Sequence, residues 1–205
     1  MRNRSENKIT IVMIRHGATM ANATRRYLGR TDEALSLEGI KVLSEYKRQK
    51  MYPVVDMVFA SPMKRCIQTA QILYSKHNPV IIPEWVEIDF GAFEGKNYIE
   101  LKDDKRYQAW IDSNGTMPFP DGESRDEFIC RCEEGFKKMI SNILEKQEQA
   151  EPQTVGMIVH GGTIMAILSR YTGGDYYDFQ VANGRGYVCT YDSISAGLSV
   201  GSVIR

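Results

Sequence analysis

The sequence predicts an α/β fold: a doubly wound, mostly parallel central sheet with helices on both faces and an antiparallel strand addition at the C-terminus. Three observations point to it. The run Ile11-Val12-Met13-Ile14 is continuously apolar and breaks at once into Arg15-His16-Gly17. That is the pattern of a strand buried on both faces and ended by a tight turn. Residues 154–159 repeat the design and end in His160-Gly161-Gly162-Thr163. Elsewhere, short apolar runs alternate with stretches of helical period, which implies parallel strands joined by crossover helices. Residues 187–192 and 198–204 differ, because the short turn around Ala196-Gly197 joins them as a hairpin.

The elements follow in order. Residues 18–34 read as a polar loop carrying Thr19, Asn22 and the segment YLGRTD at 27–32. Ser36 caps a helix over 37–50, with Leu37, Ile40, Leu43 and Tyr46 or Lys47 at helical spacing. A strand at 56–60 leads into Ser61-Pro62, a hydroxyl at N-cap and a proline at the first helical position. Arg65 then lies one turn into that helix. Residues 79–82 form a third strand, and 84–95 (EWVEIDFGAFEG) are irregular. A helix spans 97–113, where Tyr98, Leu101, Tyr107 and Trp110 are available for packing, and a Gly/Pro-rich loop follows at 114–122. A long helix over 124–149 carries the stripe Phe128, Cys132, Phe136, Met139, Ile140 and Ile143, read as core and not as a partner-binding face. After the strand that ends in His160, residues 163–171 are helical.

At 205 residues the chain suits one domain over 1–205. Lys+Arg and Asp+Glu both number 26, so no global field favours nucleic acid or an anionic membrane as partner. The first residues are polar, and the apolar run after them is too short for a signal peptide or a membrane span. The four cysteines (66, 130, 132 and 189) form no C-x-x-C and read as buried free thiols. Cys130 and Cys132, two apart on a helix, face different ways. The expectation is a cytoplasmic protein, and no pattern in the chain sets an oligomeric state.

Placed at the ends of neighbouring strands, His16 and His160 converge with Arg15 and Arg65 on one rim, where open α/β sheets bind ligands. Taken singly, each has a bland reading. Arg15 ends a strand in solvent, His16 decorates a loop, and Arg65 is a solvated helix-surface arginine. His77, in a polar loop after a helix, is read as a surface residue. Two of three histidines at equivalent strand-to-helix junctions, each followed by glycine, make the joint reading the stronger one. Two guanidiniums, two imidazoles and exposed N–H groups match a compact phosphoryl dianion. Walker A and G-x-G-x-x-G patterns are absent, and so are the carboxylate and histidine clusters of a two-metal site. Charge neutralisation then falls to arginine, with no cofactor and no metal, as in metal-independent phosphoryl transfer.

IVMIRHGAT (11–19), SPMKRCIQT (61–69), EIDFGAFEG (87–95) and VHGGT (159–163) resemble the histidine phosphatase superfamily, which includes the cofactor-dependent phosphoglycerate mutases. The segments YLGRTDEALSLEGI (27–40) and FPDGES (119–124) resemble its phosphatase branch, especially α-ribazole phosphatases and broad-specificity phosphatases. The resemblance implies that His16 is the nucleophile and that Arg15, Arg65 and His160 hold the phosphoryl oxygens, assisted by Asn22 and the Gly161 N–H. It implies that Glu87 protonates the leaving group and later activates water. Glu87 should therefore titrate above the usual carboxylate range. Glu84 and Glu94 are competing acids; motif position favours Glu87, and spacing alone does not decide. The implied substrate is a small phosphorylated metabolite, with α-ribazole 5′-phosphate as one candidate.

Two positions depart from the family pattern. Ala18 stands where many relatives carry Glu or Gln, and Phe93 replaces a tryptophan. Both bear on subfamily and substrate more than on the reaction. The alternatives are a phosphoglycerate mutase and a non-catalytic phosphate-binding module. Against the mutase, 97–120 lacks the adjacent arginines and proline run of that branch; against the module, both histidines and the acid are present. Segments 96–124 and 173–186, which mix aromatics with Lys96, Arg106 and Arg185, read as lid-like insertions.

Overall fold

The computed structural model describes residues 8–146 and 154–205. Six strands form one sheet: β1 (Lys8–Arg15), β2 (Met57–Ala60), β3 (Val80–Ile81), β4 (Thr154–Val159), β5 (Gly186–Asp192) and β6 (Gly197–Ile204). Their order is β3-β2-β4-β1-β5-β6. The first four strands run parallel, while β5 pairs antiparallel with both β1 and β6. The helices are α1 (Met20–Ala23), α2 (Leu37–Arg48), α3 (Lys64–Leu73), α4 (Tyr98–Leu101), α5 (Lys105–Asp112), α6 (Arg125–Lys146) and α7 (Gly161–Thr172).

Alternation along β1 builds two cores. Ile9, Ile11 and Met13 pack with Phe128, Phe136 and Ile164, which lie on α6 and α7. Val12 and Ile14 point the other way and pack with Leu43, Cys66 and Leu73 on α2 and α3. The sheet therefore carries helices on both faces, and a run apolar at every position is what such a strand requires. All six members of the α6 stripe are buried, as read. The expected end of this helix at residue 149 lies outside the described residues.

Several local expectations change. Residues 18–34 contain a short helix, α1, because Thr19 and Asn22 form a reciprocal capping box. Ser36 does cap α2, accepting the Gly39 N–H, but Leu37 is 87% exposed and only Leu43 of the proposed stripe is fully buried. Residues 97–113 form two helices, since Asn97 caps α4 and Asp104, three residues past its end, caps α5. Tyr98 faces solvent instead of packing. Helix α7 starts at Gly161, two residues earlier than expected. Cys130 is exposed, so only Cys66, Cys132 and Cys189 are buried free thiols.

The Ser61-Pro62 signal misplaces a helix start. Helix α3 begins at Lys64 with Met63 at N-cap and no side-chain cap. The Ser61 hydroxyl is engaged instead with His160, 99 residues away. A tertiary partner outcompetes the local cap.

Candidate active site

Register brings the chemistry together. Ala60 pairs with Ile158 and Val159 with Arg15, so β2, β4 and β1 release Ser61, His160 and His16 along one edge. The His16 N–H donates to the Val159 carbonyl at 2.9 Å. The His16 and His160 rings sit 5.2 Å apart, edge to face at 67°. Arg65, on the first turn of α3, reaches them from the side, its Nε–H donating to His160 Nδ1 at 3.4 Å. Arg65 and His160 are fully buried and His16 is nearly so. The solvated readings of Arg65 and His16 are thereby overturned.

The hydrogen bonds specify both tautomers. His16 Nδ1 lies 2.7 Å from the Gly17 carbonyl oxygen. A carbonyl only accepts, so the proton is on Nδ1 and the Nε2 lone pair is free. His160 Nδ1 accepts from Arg65, so Nε2 carries its proton and donates to Ser61 Oγ at 2.8 Å. Burial, reinforced by the charges of Arg65 and Arg15, pushes the His16 imidazole well below its ordinary pKa. Burial also depresses His160, helped by Arg65, His16 and Arg15. Both rings are neutral at neutral pH.

The two arginines are held by backbone and not by acids. Arg65 donates from Nη1 to Thr31 O at 2.9 Å and from Nη2 to Gly29 O at 3.0 Å. Arg15 donates from Nη1 to Val181 O at 2.8 Å, and its buried Nε–H has no partner. Among the described residues, neither guanidinium has a carboxylate within ion-pair distance. Two cations and two imidazoles thus share a desolvated hollow without an ion-paired carboxylate, a charge balance suited to a multiply charged anion.

The three competing glutamates have separate fates. Glu94 accepts N–H bonds from Gly29 and Thr31 at 2.9 and 3.0 Å, and so holds the loop whose carbonyls grip Arg65. Glu84 pairs with Lys138, which holds its carboxyl below the usual range. Glu87 is 8% exposed, has no ion pair and accepts the Ile88 N–H at 3.0 Å. Burial raises its pKa against the opposing pull of Arg65 and Arg15. It lines the same cavity as Arg15 and Gly161. Its position is set from α6: Arg131 Nη1 donates to the Glu84 and Val86 carbonyls at 2.6 and 2.7 Å, and Trp85 is fully buried against the bare Gly135.

Asn22 Oδ1 accepts from Thr19 N and from Asn183 Nδ2. Asn183 also donates to the His16 carbonyl at 3.0 Å, tying the turn after β1 to the segment before β5. The Gly17 N–H is not free for a ligand, because it donates to Thr69 Oγ1 at 3.0 Å. Thr69 in turn donates to the Arg65 carbonyl at 2.7 Å. Ser61, Thr69, Arg131 and Asn183 were not singled out as site residues by the sequence reading. Thr69 alone had a local signal, one helical turn beyond Arg65. Thr69→Val keeps the shape but strands the buried Gly17 N–H, so chemical denaturation should show a loss of about 1–3 kcal/mol.

Beside these groups lies a cavity of about 540 Å³. Arg15, Glu87, Gly161 and Gly162 form part of its wall, and Tyr27, Phe90, Trp110, Phe119, Tyr176 and Tyr177 much of the rest. Segments 96–124 and 173–186 both contribute and meet across it, where Gly115 (φ +66°) leaves room for the Tyr177 hydroxyl and Trp110. Phe93, in place of the tryptophan, is fully buried in the aromatic cluster behind this wall.

A family profile described as the histidine phosphatase superfamily (branch 1) matches residues 11–197. The chain belongs to the histidine phosphatase superfamily. Among relatives of this phosphatase, the adenosylcobalamin/alpha-ribazole phosphatase of Escherichia coli is 30% identical over 166 residues, covering 78% of each chain. The solved alpha-ribazole phosphatase of Shigella flexneri superposes with a TM-score of 0.77, covers 96% of both chains and is 23% identical, a likeness of fold. A phosphoserine phosphatase from Entamoeba histolytica, solved with 3-phosphoglyceric acid, gives a TM-score of 0.72 at 26% identity, covering 95% of this chain and 96% of that one. No helix among the described residues of this phosphatase is long and apolar enough to cross a membrane.

Proposed function

We propose that this phosphatase is a metal-independent phosphomonoesterase that works through a phosphohistidine on His16. Its substrates are small phosphorylated metabolites, α-ribazole 5′-phosphate among them. The observation that carries the reading is the His16 tautomer: Nδ1–H is fixed on the Gly17 carbonyl, so Nε2 offers a lone pair beside two unpaired guanidiniums. Nε2 attacks phosphorus, the P–O ester bond breaks, and Glu87 gives its proton to the departing alkoxide. The Glu87 carboxylate then takes a proton from water, the resulting hydroxide attacks the phosphohistidine, and phosphate and neutral His16 are restored. The raised Glu87 pKa supports an acid that is still protonated when substrate binds.

Arg65 donates to Thr31, Gly29, His160 and, at 3.5 Å, Leu28, leaving its second Nη1–H for a phosphoryl oxygen. The unpartnered Nε–H of Arg15 joins it. His160 has no spare N–H while neutral, so it serves as a donor by turning its Nε2–H from Ser61 Oγ to a phosphoryl oxygen. Asn22 contributes its amide hydrogens. The N–H of Gly161, first in α7 with no side-chain cap before it, faces the anion at a helix N-terminus.

The test is phosphate release from a panel of phosphorylated metabolites, with 4-nitrophenyl phosphate as reporter. Turnover unaffected by a metal chelator supports the reading, and loss of turnover on chelation contradicts it. Supplying 2,3-bisphosphoglycerate with 3-phosphoglycerate should yield phosphate and not 2-phosphoglycerate. Gly162→Ala adds a methyl group 2.5 Å from Glu87 Oε1. Displacing the acid should lower kcat about tenfold or more on alkyl phosphates. 4-Nitrophenyl phosphate, whose leaving group departs without a proton, should be affected much less. In kcat/KM against pH, the acidic limb from His16 should fall well below 6.5, since protonation removes the nucleophile and its pKa is depressed. The basic limb marks loss of the Glu87 proton and should vanish in Glu87→Gln.

A further inference from the structure

We propose that Arg125 reads an anionic substituent on the leaving group, so that the cavity favours phosphomonoesters of ring-bearing alcohols that carry a carboxylate or second phosphate. The inference rests on the phosphatase reading for the placing of the reacting phosphoryl group beside Arg15 and Gly161. Arg125 opens α6, is half-buried, and lines the same cavity as Arg15 and Glu87. Its guanidinium stands over the Tyr176 ring, 5.8 Å from the centroid.

Among the described residues Arg125 has no carboxylate within ion-pair distance and no hydrogen-bond acceptor, unlike Arg26, Arg106 and Arg131, which pair with Glu100, Asp104 and Glu123. The acids near it in sequence are otherwise placed. Glu127 closes a capping box with Ser124 through bonds of 2.6, 2.9 and 3.2 Å, and Glu123 holds Arg131 at 2.7 Å. The arginines have separate anchors: the Val181 carbonyl for Arg15, the Thr31 and Gly29 carbonyls for Arg65, and the Tyr176 ring for Arg125. The cavity's charged side chains are Arg15, Arg125 and Glu87, and a bound phosphoryl group answers Arg15. What remains is a guanidinium on an aromatic wall without a counter-ion, a forked donor that matches carboxylate and phosphate alike. The flat rings of Trp110, Phe119 and Tyr177 suit a planar group between the two anionic ends.

The experiment uses non-hydrolysable probes, so it does not depend on turnover. Calorimetry compares benzylphosphonate with 3- and 4-(phosphonomethyl)benzoate and with p-xylylenediphosphonate, on wild type, Arg125→Gln and Arg125→Lys. At least one doubly anionic probe should bind wild type about tenfold more tightly than benzylphosphonate. That ratio should fall to about one in Arg125→Gln and recover in part in Arg125→Lys. The carboxylate and phosphonate arms show which acid the site prefers. Equal binding of all probes to wild type, a ratio unchanged in Arg125→Gln, or no binding of any probe would overturn the proposal. Turnover of 4-nitrophenyl phosphate tests the underlying phosphatase reading separately.

Discussion

Replacing His16 by alanine is expected to lower kcat on the order of 10⁴-fold, because the residue proposed to form the covalent intermediate has no substitute in the site. His160 cannot take over. Its Nε2–H is committed to Ser61 Oγ at 2.8 Å and its Nδ1 lone pair to Arg65 at 3.4 Å. The loss should appear in kcat with every substrate, 4-nitrophenyl phosphate included, since nucleophilic attack precedes any difference in leaving group. Stability should change little in comparison. Removing the ring frees only one hydrogen bond, from Nδ1 to the neighbouring Gly17 carbonyl. A His16→Ala protein that folds, binds phosphate and does not turn over is the expected outcome. Near-normal phosphate release by that variant would remove the covalent step.

The second large effect concerns Arg65. Arg65→Ala should lower kcat/KM by about 10²–10³, the scale on which a preorganised donor to transition-state charge acts. It should also destabilise the fold by about 1–3 kcal/mol, because the buried Gly29 carbonyl and the part-buried Thr31 carbonyl lose their donor. Lysine is not a remedy. It keeps the charge, but an ammonium cannot span Thr31, Gly29 and His160 while presenting a further N–H to a phosphoryl oxygen. Arg65→Lys should therefore stay within about tenfold of Arg65→Ala in kcat/KM. Full recovery would mean that only the charge matters.

Much of this was legible in the chain because two strands advertise themselves twice. An apolar run that stops at Arg-His-Gly, and another that stops at His-Gly-Gly, mark both strand ends and both imidazoles. Parallel pairing in register then leaves few ways to keep them apart. The choice among Glu84, Glu87 and Glu94 was different in kind. Three glutamates within eleven residues share one local pattern, and only their distant neighbours separate them: Lys138 for Glu84, and the Gly29 and Thr31 N–H groups for Glu94. The positioning contacts of Arg131 and Asn183 span 45 to 167 residues of chain and leave no periodic trace. Ser61 was misread for the same reason, its cap signal being genuine but weaker than a buried imidazole partner.

The proposed mechanism requires a phosphoryl group to rest on His16 between two half-reactions. The direct measurement is mass spectrometry of the enzyme quenched in alkali during turnover of 4-nitrophenyl phosphate, followed by peptide mapping. Glu87→Gln should raise its yield, because it removes the proposed base for hydrolysis of the intermediate. The predicted result is one acid-labile phosphoryl group per chain on the peptide that contains His16. Active turnover with that peptide unmodified, or with the label on His160, would contradict it.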